Sequence, residues 1–282
     1  MSQTRPSAEL VKPDPEEESP FLGREEEAAR LRAAILQRES VLIAGPQGIG
    51  KTALVTHVLG ELPCEARRRT LCVDGIEGLQ LLLRELVKQL HRAGDSTLHS
   101  QLRAERVRSN NFKGWLTQQS TSRLKGEIYR AAEKGLYTVF FDHLPPLTHA
   151  MAKVLRELVW MRNTPVYLVA RGFGEEDAGH ASSLYWANRQ RLALGPLPEG
   201  AARELLDICI RRFGLAGMNL DGFCNEILKL SSGNPGAIVN MCRLASQSKY
   251  HYGSRIKTKL VYIDHLMNCG GSDGCRSVQN RS

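Results

Sequence analysis

Residues 41–54 read Val-Leu-Ile-Ala-Gly-Pro-Gln-Gly-Ile-Gly-Lys-Thr-Ala-Leu. The apolar run Val41 to Ala44 passes straight into glycines, which suits a short strand buried on both faces. Gly45-Pro46-Gln47-Gly48-Ile49-Gly50-Lys51-Thr52 fits G-x-x-x-x-G-K-[ST], and Lys51 to Leu62 reads as a helix. Strand, glycine loop and helix in that order make a phosphate cradle. The glycines let backbone N–H groups turn toward an anion, and the helix presents its positive end to the same charge. In this reading Lys51 reaches the β- and γ-phosphates of a nucleotide, and the Thr52 hydroxyl ligates Mg²⁺. Ala53 follows in the first turn of the helix.

Outward from that loop, strands and helices alternate. Arg24 to Gln37 reads as helix, Thr70 to Val73 as strand, Ile76 to Arg92 and Ser122 to Lys134 as helices. Tyr137 to Phe141 is a second buried strand, His149 to Arg162 a helix, and Val166 to Ala170 and Arg191 to Leu194 are strands. Residues 95–121 are polar and carry no clear period. The alternation predicts an α/β fold with a mostly parallel sheet covered by helices on both faces. After Pro196, residues 199–213, 220–230, 235–247 and 256–267 read as helices with no strand between them. The expected organisation is therefore a leader over 1–20, an α/β nucleotide-binding domain over 21–196, a helical lid over 197–268 and a tail over 269–282. The leader, with four prolines and net charge −3, is expected to be disordered, as is the glycine-rich tail.

The run Tyr137-Thr138-Val139-Phe140-Phe141 ends in Asp142. A carboxylate at the tip of a strand beside the cradle is what a nucleotide site needs to hold Mg²⁺ from a second direction. A helix-capping aspartate before Leu144-Pro145-Pro146 is the plainer reading of the same residue. His143 comes next, where many ATPases place the acid that activates the attacking water. A neutral imidazole can accept a proton, so a direct role and a passive one both stand.

These residues together resemble AAA+ ATPases of the origin-recognition-like and STAND branch. The resemblance covers about residues 20–250 and is carried by five segments besides Asp142. They are Phe21-Leu22-Gly23-Arg24-Glu25 ahead of a helix, the phosphate loop (the Walker A motif), Pro165 to Arg171, Leu194-Gly195-Pro196-Leu197, and Ser232-Gly233-Asn234-Pro235. The resemblance implies a P-loop NTPase sheet of five strands in the order 5-1-4-3-2 with a C-terminal helical lid. It also implies Phe21, Gly23 and Arg24 near the adenine, Pro235 touching the nucleotide, and Arg171 sensing the γ-phosphate. The usual lid arginine has no clear match; Arg243 lies two turns beyond Pro235. Arg189 and Arg191 sit roughly where proteins of this branch place an intersubunit arginine finger.

The chain has 282 residues and a net charge of +8, of which +11 lies outside the leader. No apolar run reaches the 18 or so residues of a membrane helix, and no secretory signal opens the sequence, so a cytoplasmic protein with no membrane partner is expected. The seven cysteines lack metal-ligand spacing and read as reduced thiols, with Cys269 and Cys275 close enough in the tail to oxidise together. Arg67, Arg68, Arg69, Arg103, Arg106, Arg108, Lys113, Arg123 and Lys125 make the middle basic, with Phe112 and Trp115 among them. That pattern suits DNA held through phosphates and stacking, and equally a solvated face with its aromatics docked on the core, the reading we favour. Trp115, Trp160 and Trp186 are otherwise ordinary core or partner-facing candidates.

The function expected is an ATP-binding switch with slow Mg-dependent hydrolysis, Lys51, Asp142, His143 and Arg171 forming the catalytic set. Thr52 and Asp142 hold the metal, and ATP or ADP, a protein partner or a second copy are the expected partners. A non-hydrolysing nucleotide scaffold and a DNA-associated regulatory module are the alternatives. A small-molecule P-loop kinase leaves the Phe21–Glu25 segment unexplained.

Overall fold

A computed structural model of the chain describes residues 21–143, 145–161, 164–185, 187 and 190–270. The expected leader, most of the expected tail with Cys275, and also Trp186 and Arg189 lie outside the described residues.

Five parallel strands form the sheet: β1 (Val41–Ala44), β2 (Thr70–Asp74), β3 (Thr138–Asp142), β4 (Val166–Ala170) and β5 (Arg191–Ala193), in the spatial order β2-β3-β4-β1-β5. This is the expected order 5-1-4-3-2. Alternate residues of each strand feed opposite cores, as the two-residue period of a strand requires. Val41, Ile43, Phe140, Tyr167 and Val169 pack with Leu31, Leu54, Val55 and Val58 of α1 (Glu25–Leu36) and α2 (Lys51–Glu61). Leu42, Phe141 and Leu168 face the other way, toward α4 (Leu79–Arg92), α7 (Thr121–Glu133) and α8 (His149–Arg156). Burial of each such side chain contributes about 1.5–3 kcal/mol before entropy, so apolar strands covered on both faces hold the sheet together. Helix α8 is shorter than expected: at Glu157 it passes into a π-helical turn that ends at Met161.

The first crossover also carries a short helix, α3 (Cys64–Arg68). The polar stretch 95–121 folds as α5 (Ser96–Ala104) and α6 (Phe112–Gln118), lying between α4 and α7. Asp95 caps α5 by accepting from Leu98 N at 2.8 Å. Leu98, Leu102, Phe112 and Leu116 are buried in the α4 and α7 core, so tertiary burial sets this helical pair where local periodicity is weak.

Beyond β4 come α9 (Glu175–Ala178) and, after β5, α10 (Glu199–Arg212), α11 (Phe223–Ser231), α12 (Pro235–Ala245) and α13 (Thr258–Gly270). Their own core contains Leu205, Leu206, Ile227, Ile238, Met241 and Val261. The expectation of no strand after Pro196 is corrected by a two-residue hairpin, β6 (His251–Tyr252) against β7 (Arg255–Ile256). Gly253 at its turn takes φ +58°, a backbone that suits glycine. Helix α13 also takes in the first two residues of the expected tail. Among the described residues no helix is long and apolar enough to cross a membrane.

Candidate nucleotide site

Because the five strands are parallel, their carboxyl ends share one edge, and loops leaving that edge converge on a crevice. Gly45 leaves β1, Asp74 and Asp142 end β2 and β3, Arg171 follows β4 and Leu194 follows β5.

The loop from Gly45 to Gly50 turns through two left-handed glycines, Gly48 at φ +78° and Gly50 at φ +97°, and Gly50 is the N-cap of α2. Ile49 is buried and pins the loop to the sheet, while Pro46, Gln47 and Gly48 are exposed. Lys51 lies back over the loop, its Nζ donating to Gly45 O at 2.6 Å and Pro46 O at 2.9 Å. Burial lowers the Lys51 ammonium below its ordinary value; Asp142 opposes that shift, Arg171 adds to it and Asp177 opposes it. Lys51, Asp142, Arg171 and Asp177 therefore share one electrostatic neighbourhood. Ala53 is exposed beside them.

Thr52 Oγ1 donates to Asp142 Oδ2 at 2.7 Å, joining the first turn of α2 to the tip of β3. Mg²⁺ takes oxygen ligands and is commonly held by one or two protein groups plus substrate phosphates, so this hydroxyl–carboxylate pair fits it. Among the described residues no group of three or more His, Cys, Asp or Glu is placed to hold a metal ion. His143 follows with φ +49°, and its Nδ1 lies 2.9 Å from Asp74 Oδ1. Sequence reading missed Asp74. The signal was there: Thr70-Leu71-Cys72-Val73 ends in a carboxylate as the Asp142 strand does.

The α10–α12 region grips the loop from the other side. Asn234 Nδ2 donates to Gln47 O at 2.9 Å, and Gly236 N donates to Gly48 O at 2.9 Å. Asn234 also caps α12, its Oδ1 accepting from Ala237 N at 3.2 Å, and Pro235 begins that helix beside Gly50. A Cβ on Gly236 would come within 2.8 Å of Gly48 Cα, so the absence of a side chain permits the approach.

Arg24 is buried and forms a bridge, with Nη1 on Glu27 at 2.8 Å and Nη2 donating to Ile49 O at 3.4 Å and to Gly195 O. Gly23 packs against Ala201 of α10. Phe21 stacks on His57 of α2, ring centroids 3.9 Å apart. Arg243 is paired with Asn240, donating at 2.8 Å. Arg191 donates to Tyr185 O at 2.6 Å and its own carbonyl accepts from Arg30. Of the aromatics in the basic stretch, Phe112 is buried against His91 and Trp115 donates to Glu105 at 2.8 Å.

The model of the AAA ATPase domain matches residues 20–170, more than half of the chain. The chain belongs to that family, a class of nucleotide-dependent NTPases. No curated protein matches it. Among solved structures it is similar to a Walker-type ATPase of Pyrococcus abyssi, at 16% identity and TM-score 0.58 over 89% of this chain and 73% of that one. It is similar to the Aeropyrum pernix ORC1 protein, solved in complex with DNA, at 16% identity and TM-score 0.60 over 90% of this chain and 67% of that one. A Pyrococcus horikoshii STAND protein (Signal Transduction ATPase with Numerous Domains) with a tetratricopeptide repeat sensor follows at 18% identity and TM-score 0.52, over 88% of this chain and 32% of that one. At these identities the likeness is one of fold.

Proposed function

We propose that the protein is an ATP-dependent switch that hydrolyses ATP slowly with Mg²⁺. The observation that carries this reading is the Thr52–Asp142 hydrogen bond beside the glycine loop. In this reading residues 45–53 hold the triphosphate through backbone N–H groups, and Lys51 exchanges its two loop carbonyls for phosphate oxygens. Thr52 and Asp142 hold the Mg²⁺, which when bound supplies charge neutralisation for the phosphates. Arg171 lies in the field of Lys51 and reads the γ-phosphate. Phe21, Gly23 and Arg24 border the base, and Pro235 lies over the nucleotide. Residues 197–268 act as the lid on an α/β domain of 21–196, and the Asn234 and Gly236 contacts are where the lid senses the loop. We place the protein in the cytoplasm, in keeping with the free thiols at Cys64, Cys72, Cys209, Cys224 and Cys242.

Steady-state phosphate release tests the proposal. The expected result is slow Mg-dependent turnover, lost in Lys51→Ala together with ATP binding and reduced about 100-fold or more in Asp142→Ala. Unchanged ATP affinity in Lys51→Ala defeats the assignment. Tight ATP binding with no phosphate release selects the scaffold reading.

A second reading, DNA association, is favoured by the exposed Arg103, Arg106, Arg108 and Lys113 around α5 and α6. The docking of Phe112 and Trp115 leaves phosphate contacts rather than base stacking to carry it. Retention on DNA that falls steeply with salt is the expected signature.

A further inference from the structure

Helix α8 and the π-helical turn that continues it sort their residues by the helical period. Met151, Val154, Leu155 and Leu158 are buried in the core beneath the sheet. The outward face carries His149, Lys153, Arg156, Glu157 and Trp160, which line a groove of about 380 Å³. At 1.5 Å per residue this face runs roughly 16 Å. It leads away from the nucleotide crevice, because α8 returns from the tip of β3 toward the start of β4.

Trp160 is 60% exposed although Leu158, two positions earlier, is buried. Tryptophan is on average among the well-buried side chains, so a ring left this open is free to make contacts. The Arg156 guanidinium carbon lies 5.6 Å over that ring. Arg156 Nε is buried and has no hydrogen-bond partner among the described residues. Neither Arg156 nor Lys153 enters an ion pair among the described residues, and Lys153 is exposed. Glu157 is the one acid of the groove, so the lining keeps a net positive charge. The π-helical turn that carries Trp160 is an uncommon structure, found frequently at functional sites.

The α5 and α6 corner offers cations alone, since Phe112 and Trp115 are docked there. The α8 face offers uncompensated cations and a free indole together. That combination matches a strand whose bases are unpaired: cations hold its phosphates, and any base can stack on the ring. An acidic protein surface would need the cations but not the indole. A duplex would need the cations too, with its bases already stacked on one another.

We propose that the α8 groove binds single-stranded nucleic acid, one base stacking on Trp160 while neighbouring phosphates rest on Lys153 and Arg156. The site goes beyond the nucleotide switch proposed above and uses a different surface from the α5 and α6 corner.

The test uses the full chain without ATP or Mg²⁺ and a labelled oligothymidylate of about 15 nucleotides, followed by anisotropy at low salt. The strand is expected to bind and to quench tryptophan emission. An oligouridylate in parallel tells whether DNA or RNA is the better source of the strand. Trp160→Ala is expected to weaken strand binding about 5-fold or more, with duplex binding and ATP affinity within about two-fold of the wild type. Its salt dependence stays that of the wild type, because stacking releases no counterions. Trp160→Phe keeps a ring and recovers most of the affinity without the quenching. Lys153→Ala weakens binding and lowers the salt slope by about 0.7. A wild type that does not retain the strand at low salt overturns the proposal. So does a Trp160→Ala variant that binds the strand as the wild type does, or one that loses strand and duplex alike. Thymidine monophosphate bound as tightly as the strand also overturns it, in favour of a free nucleotide. None of these outcomes bears on ATP hydrolysis, which phosphate release tests separately.

Discussion

Single residues at the strand tips answer to their surroundings more than to their type. Cys72 lies on β2 one strand away from Asp142; burial, and then the Asp142 charge, push its thiol up to about 11. At pH 8 about one Cys72 thiol in a thousand is then ionised, and the thiolate is the reactive form. A thiol-alkylating reagent at that pH is expected to label the exposed Cys64 well before Cys72, as read by mass spectrometry of the digested protein. The sign follows from the raised value: the native thiol keeps its proton where an unfolded one loses it, so Cys72 favours folding below about pH 9 and that contribution fades as pH rises toward 11. Faster labelling at Cys72 contradicts the burial of its thiol in the middle of β2. Asp142 was legible in the sequence because an apolar strand led straight to it. Asp74 ends its strand in the same way, yet its contact with His143 shows only once the register of β2 and β3 brings the two tips together.

At the scale of elements, the loop and the start of α12 meet backbone to backbone. Gly236→Ala forces a methyl toward the Gly48 backbone, which cannot swing aside as a side chain can. The expected cost is about 1–3 kcal/mol in urea unfolding, with weaker ATP binding from the displaced loop. A variant as stable and as tight-binding as the wild type shows that the two elements do not need to touch. Little of this contact was legible. Ser232 to Pro235 stood out only through a resemblance, because one bond runs between backbone atoms common to every residue and the other from Asn234 to a carbonyl that any residue at position 47 would offer. The strands, by contrast, were legible because covering both faces of a parallel sheet demands unbroken apolar runs. The pair α5 and α6 was not, since Leu98, Leu102, Phe112 and Leu116 are spaced for contact with α4 and α7 across two short helices rather than for one long period.

For the whole molecule, a ligand held by both the sheet and the α10–α12 region stabilises the native state by mass action. ATP with Mg²⁺ at 100 times its dissociation constant is expected to add about 2.7 kcal/mol, or about 5–10 °C in melting temperature for a chain of this size, with no shift in Lys51→Ala. A wild type whose melting point ignores ATP speaks against a shared site. The sheet order followed from matching motifs in sequence order, whereas the small hairpin of β6 and β7 was too short to leave a pattern. Asn234 grips Gln47 from 187 positions further along the chain. At ribosomal speeds of about 5–20 residues per second, the glycine turn emerges roughly ten to forty seconds before the asparagine that fastens it. Throughout that interval the nascent polypeptide carries the glycine loop with one wall missing, so this grip forms only after all five strands of the sheet have been made.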